Sequence, residues 1–115
     1  MTIDEFREIA LSMPLATQES HMGHPDFRVK GRIFAAINSA DNQLGMVKLT
    51  PQQQTQRIKA KPKMFLPASG SWGEKGATLV RLAAADKASV RLAIADAWRN
   101  TAPAKMVKEL GGEII

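Results

Sequence analysis

The chain contains no cysteine and no tyrosine, and its 115 residues hold only four phenylalanines and two tryptophans. Without thiols it can form no disulfide, no thiolate zinc site and no cysteine nucleophile. With so few rings, a sheet that stacks several unpaired bases on exposed aromatics is short of material. No run of about 18 apolar residues occurs, so no helix is expected to cross a membrane. The opening MTIDEFREIA carries acids where a secretory signal carries Lys or Arg. Together with the missing thiols, this makes the cytoplasm the expected address.

What is present suits an ordinary globule, 44% hydrophobic and 23% charged. The length predicts one domain over residues 1–115, with 111–115 as a loose tail. A chain of this size buries roughly two thirds of its unfolded surface and stands without staples. The net charge of +5 is unevenly spread. Residues 1–26 hold Arg7 against five acids, a net −4. Residues 27–63 hold eight bases (Arg28, Lys30, Arg32, Lys48, Arg57, Lys59, Lys61 and Lys63) against Asp41 alone, a net +7. A basic segment in a near-neutral frame is either a footprint for polyanions or a set of solvated strand and helix faces.

Thr2 and Glu5 have capping-box spacing, and Ile3, Phe6, Ile9, Ala10 and Met13 recur on one stripe of a helix that Pro14 ends. From Gln18 to Leu49 the chain reads as strands and turns. A two-residue loop at Lys30–Gly31 pairs Val29 with Arg32 and Phe27 with Phe34, unless a bulge changes the register. Thr50, Pro51 and Gln53 start a second, strongly polar helix whose only large apolar residue is Ile58, so it is expected to pack weakly. MFLP is a short extended piece and ATLVRLA a buried strand. Asp86 caps a long helix with Val90, Ala93, Ile94, Ala97 and Trp98 on its stripe, and a short helix runs from Ala104 to Leu110. The order α-β-β-β-α-β-β-α predicts a two-layer α+β domain, an antiparallel sheet with helices on one side.

The tract SGSWGEKGATLVRL, residues 69–82, sets Gly70, Gly73 and Gly76 around Trp72 and Lys75. It reads either as a hairpin wing that touches a partner or as an ornate turn over the core. Its spacing matches neither the Walker pattern nor the dinucleotide fingerprint, though Gly73, Lys75 and Gly76 could cradle a phosphate through backbone N–H groups. His21 and His24 form an H-x-x-H pair before Asp26. Residues three apart on a strand point to opposite faces, so the imidazoles meet only if the chain turns at Gly23. Catalytic zinc takes three protein ligands, and the other carboxylates are scattered. Structural or hydrogen-bonding histidines are therefore expected, with no metal and no cofactor. Ser20, Ser69 and Ser71 lie outside any G-x-S-x-G elbow, so no catalytic residue is assigned.

Taken in order, HMGHPDFRVKGRIFA (21–35), GMVKLTP (45–51), FLPASGSWGEKGATLVRL (65–82) and AWRNTAPAKMV (97–107) closely resemble the MmcQ/YjbR family. His24, Pro25, Phe27, Arg28, Lys48, Trp72, Gly73, Gly76 and Thr78 match its pattern. The resemblance implies a frataxin-like or secretion-chaperone-like fold and a DNA-binding role in a double-wing mode. NSADNQ (38–43) departs from that mode, since as a wing it offers no base to a phosphate. Iron handling on a frataxin-like scaffold needs an acidic helix face, and Asp4, Glu5 and Glu8 are too few for one.

The expected function is thus a non-enzymatic protein that binds duplex DNA without sequence preference. Arg28, Lys30, Arg32, Lys48 and Lys75 would contact phosphates, and Trp72 would brace or wedge beside Gly73 and Gly76. His21, His24, Phe27 and Thr78 are pocket candidates. A protein-interaction module is the alternative, with Met22, Met46 and Met64 as an adaptable thioether surface. A small-molecule or enzymatic role requires His21, His24, Arg28, Lys48 and Trp72 to converge on one pocket.

Overall fold

The computed structural model describes residues 1–114. Helix α1 (Ile3–Leu11) opens on the expected capping box, with Thr2 and Glu5 each accepting from the other's backbone N–H. Four strands follow: β1 (Thr17–His21), β2 (His24–Val29), β3 (Arg32–Ser39) and β4 (Leu44–Lys48). The extra strand arises because Met22 and Gly23 turn the chain back on itself. Both residues take left-handed φ (52° and 80°), as do Lys30 and Gly31 (52° and 76°) at the next hairpin. Two consecutive left-handed residues make the type I′ geometry that suits the right-handed twist of paired strands.

Helix α2 (Pro51–Ala60) leads to β5 (Phe65–Pro67), a short helix α3 (Gly70–Glu74), β6 (Ala77–Arg81), α4 (Lys87–Thr101) and α5 (Ala104–Leu110). The six strands form one antiparallel sheet in the order β1-β2-β3-β4-β6-β5. Helix α4 lies across β3 and β4, and α1 packs beside it. The expected α+β architecture is borne out, with β1 and α3 added to the expected order and α5 forming as the expected short helix that follows it.

At Lys30–Gly31 the pair Val29–Arg32 forms as expected and Arg28 lies opposite Ile33, but Phe27 sits opposite Ala35 and not Phe34. A bulge absorbs Phe34. The extra residue lets Phe27, Val29, Phe34 and Ala35 all be buried. Phe6 meets Phe27 with ring centroids 6.3 Å apart, and Trp98 is fully buried with its Nε1–H donated to the Pro14 carbonyl at 2.9 Å. Burying side chains of this size stabilises the fold by about 1.5–3 kcal/mol each. The segment expected as a loose tail is instead docked: Gly111–Glu113 form a 3-10 turn, Ile114 is buried, and the Arg99 guanidinium donates to the Gly111 and Ile114 carbonyls. Residue 115 lies outside the described residues.

Two helix starts carry carboxylates tied to lysines on other elements. Glu5 accepts from Lys87 Nζ at 2.8 Å and from the Thr2 N–H, which brings it from 4.5 down to about 2. Asp86 is brought from 3.8 to about 2 by hydrogen bonds from Ser89, with Lys61 at 3.2 Å adding to the effect. Both folded values lie below the unfolded ones. Their stabilisation is therefore present above about pH 4.5 and is lost as the pH falls toward 2. Melting temperatures between pH 6 and pH 2 should fall less steeply in a Glu5→Gln/Asp86→Asn double variant. An equally steep fall in both proteins would count against these two groups.

Candidate functional site

Helices cover one face of the sheet, and the other face carries the candidate site. The type I′ turn sets His21 directly opposite His24, and directly opposed residues share a face. The two imidazoles are thus on one side, through the turn at Gly23. Alternation along β2 adds Asp26 and Arg28 to that face. Cross-strand pairing adds Ile33 opposite Arg28, Ala36 opposite Asp26, and Met46 opposite Ala36. Helix α3 presents Trp72 across from the hairpin tip. Between them lies a cavity of about 240 Å³ lined by both histidines, Met22, Asp26, Ile33, Ala36, Asn38, Met46 and Trp72, among others.

Asp26 is the one buried carboxylate here, 2% exposed. Arg28 forks onto it, donating Nε–H to Oδ1 at 2.8 Å and Nη2–H to Oδ2 at 3.1 Å, while Glu19 lies 3.9 Å from Nη1. The hydrogen bond to Asp26, reinforced by both carboxylate charges, raises the Arg28 pKa further above its ordinary value. Arg28 is therefore already paired, which removes much of its expected role as a free phosphate contact. A buried charge without such a partner is costly.

Trp72 is 55% exposed. Lys48 Nζ stands over its ring, 5.3 Å from the centroid, a cation–π arrangement. The Lys48 backbone is anchored from α4, where Asn100 donates to its carbonyl at 3.1 Å. Two more cavities open from the same indole. One, of about 470 Å³, is lined by Arg28, Arg32, Lys48 and Asn100, and the other by Lys48, Lys75 and Ala77. Their linings contain four cations and no acid. Lys30 is exposed at the adjoining turn. The residues required for a small-molecule site thus fall into neighbouring cavities that share Trp72. Among the described residues, no group of three or more His, Asp or Glu is placed to hold a metal ion.

The family model described as YjbR matches residues 11–100. The chain belongs to the YjbR family. It is similar in fold to a crystal structure of the Deinococcus radiodurans protein DR2400, whose domain is described as DUF419, with a TM-score of 0.73 at 17% identity. The similarity covers 96% of this chain and 88% of that one. Among curated proteins, none matches.

In this YjbR domain the residues that match the family pattern divide by role. His24, Arg28, Lys48 and Trp72 line the site. Phe27 and Thr78, expected as pocket candidates, are fully buried away from it: Phe27 packs on Phe6, and the Thr78 hydroxyl donates to the Gly76 carbonyl at 2.8 Å. The glycine tract is no hairpin wing. It folds as α3, and the Lys75 and Gly76 N–H groups are spent on carbonyls of that helix, leaving neither for a phosphate. Gly73 and Gly76 are packing residues, since a Cβ at Gly73 would lie 1.8 Å from the Ala68 oxygen and one at Gly76 2.0 Å from the Leu49 oxygen.

Helix α2 is attached more firmly than its composition suggests. Gln54 is buried, and its Nε2 donates to the Gly73 carbonyl at 3.0 Å and the Ala77 carbonyl at 2.9 Å. Those two bonds hold α3, and with it Trp72, against the sheet. The available signal was Gln54 four residues before Ile58, one helical face. Asp26 was readable too, two positions before Arg28 on one strand face. Asn100 had no local signal.

Proposed function

We propose that this protein is a non-enzymatic DNA-binding domain that grips the phosphate backbone from the open face of its sheet, without sequence preference. The observation that carries the reading is the pair of cation-lined cavities beside Trp72, whose linings hold Arg32, Lys48 and Lys75 and no acid. Lys30 extends the set along the β2–β3 turn. Cations clustered on one face form the electrostatic footprint of a polyanion site. With α3 in place of a wing, the reading concerns the strand's phosphates and no longer depends on two wings straddling a duplex.

Lys30, Arg32, Lys48 and Lys75, which form no salt bridge among the described residues, imply a log–log salt slope of about −3. Anisotropy titrations with labelled single-stranded and duplex DNA between 50 and about 200 mM salt measure it. Absence of binding to either form at about 50 mM would overturn the reading. Lys75→Ala should flatten the slope by about 0.7–0.9, one phosphate's worth, and change stability by less than about 0.5 kcal/mol. An unchanged slope would exclude Lys75 from the contact.

One observation favours a protein-interaction module as the second reading. Met22 is 86% exposed at the β1–β2 turn, whereas Met46 and Met64 are buried. Under that reading, Met22→Ser abolishes capture of partners that survive nuclease treatment and leaves the DNA titration unchanged.

A further inference from the structure

We propose that the cavity between the β1–β2 turn and Trp72 seats one unpaired nucleobase, so that the protein prefers single-stranded DNA to duplex. This rests on the DNA-binding reading above and adds the part of the strand that is recognised. The cavity, about 240 Å³, is smaller than the roughly 300–1,000 Å³ that extended organic ligands occupy. It suits a single heterocycle. Its lining joins apolar Ile33, Ala36 and Met46 and the exposed indole to the polar side chains of His21, His24 and Asn38, which can pair with the edge of a flat ring, while the Asp26 carboxylate beside them is already held by Arg28.

Charge complementarity selects a base carried on a phosphodiester strand over an uncharged ring. Trp72 is shared between this cavity and the two cation-lined ones. A ring stacked on one side of the indole therefore places its flanking phosphates toward Arg32, Lys48 and Lys75. In a duplex every base is already stacked, and drawing one out costs a few kcal/mol. A single strand avoids that cost. The other tryptophan is fully buried, so the indole platform takes one base and not a stacked run, in contrast to sheets with several exposed rings.

The test compares an oligothymidylate with a strand of equal length made wholly of abasic deoxyribose-phosphate units, and with a duplex of that length. The base-bearing strand should bind about 5- to 150-fold more tightly than the abasic one, at the same salt slope, because stacking on one aromatic ring contributes on that scale. It should also bind more tightly than the duplex and quench the Trp72 emission. Ala36→Leu fills part of the cavity without touching the cations. It should lower oligothymidylate affinity to the abasic level and leave abasic affinity unchanged. Should that variant not fold, the abasic comparison on the unaltered protein decides. Equal affinity for base-bearing and abasic strands, with the phosphate slope intact, overturns the base pocket alone. No binding to any of the three overturns the DNA reading as well.

Discussion

Replacing Gly76 with alanine is expected to destabilise the protein by about 4 kcal/mol or more and to lower its melting temperature by roughly 15 °C. Gly76 holds φ at +112°, where L-residues are strained, and its missing Cβ leaves room for the Leu49 oxygen. A methyl group would lie 2.0 Å from that oxygen and 2.8 Å from the carbonyl carbons of Leu49 and Thr50. These are backbone atoms, so no side chain can rotate away. The displaced segment is the start of α2, where Thr50 and Gln53 form the cap and Gln54 holds α3 in place. Gly112→Ala is the control, since a Cβ there meets nothing within 4 Å. Circular-dichroism melts of both variants measure the difference. A Gly76→Ala protein melting within about 4 °C of the parent would show that β6 and the α2 start can separate at little cost.

Trp72→Ala should do the reverse, costing little stability and most of the DNA affinity. The indole is more than half exposed, and the Lys48 ammonium stands over its ring. Removing it forfeits an exposed cation–π contact of about 0.5–1 kcal/mol. For the bound strand, alanine at a stacking aromatic costs about 1–3 kcal/mol per base, or roughly 5- to 150-fold in affinity. Trp98→Ala supplies the contrast: that ring is fully buried and bonded to Pro14, and its loss should cost about 3–5 kcal/mol. Melts and titrations of both variants separate the roles. A Trp72→Ala protein as unstable as the Trp98→Ala one would make the ring part of the scaffold, and undiminished affinity would remove it from the contact.

Local chemistry carried much of the fold. The Thr2/Glu5 and Thr50/Gln53 boxes and the Asp86 cap formed where their spacing indicated, because a capping hydrogen bond spans only three residues. The stripe through Phe6, Ile9 and Ala10 and that through Val90, Ala93, Ile94, Ala97 and Trp98 are buried as their periodicity implied. The β2–β3 register was legible only as far as its turn. Beyond Arg28 a bulge shifts it, and the gain that decides this is burial of Phe34 against other elements, which no pattern within the hairpin encodes.

The residues of the candidate site were largely nameable from the chain, while their relation to one another was not. His24, Arg28, Lys48 and Trp72 carry the family pattern in one dimension. Whether they face the same solvent depends on a turn that aligns His21 with His24, a sheet order that sets β4 beside β6, and a buried glutamine that holds α3. The free charge was hidden for the same reason. Arg28 counts as a cation in the sequence, but the Asp26 carboxylate two residues away shares its face and takes its hydrogen bonds. Composition, caps and periodicity thus determined the helices other than α3, the strand-rich segment and the excess of positive charge, because each acts over a few residues, while the ordered motifs carried the resemblance to the family. Only the tertiary structure decided that Gly70, Trp72 and Gly73 form a helix and not a wing, that Arg28 is paired, and that Arg32, Lys48 and Lys75 line cavities beside one exposed indole. Those outcomes depend on packing and pairing between segments far apart in the chain, where the free energy belongs to the contact and to neither segment alone.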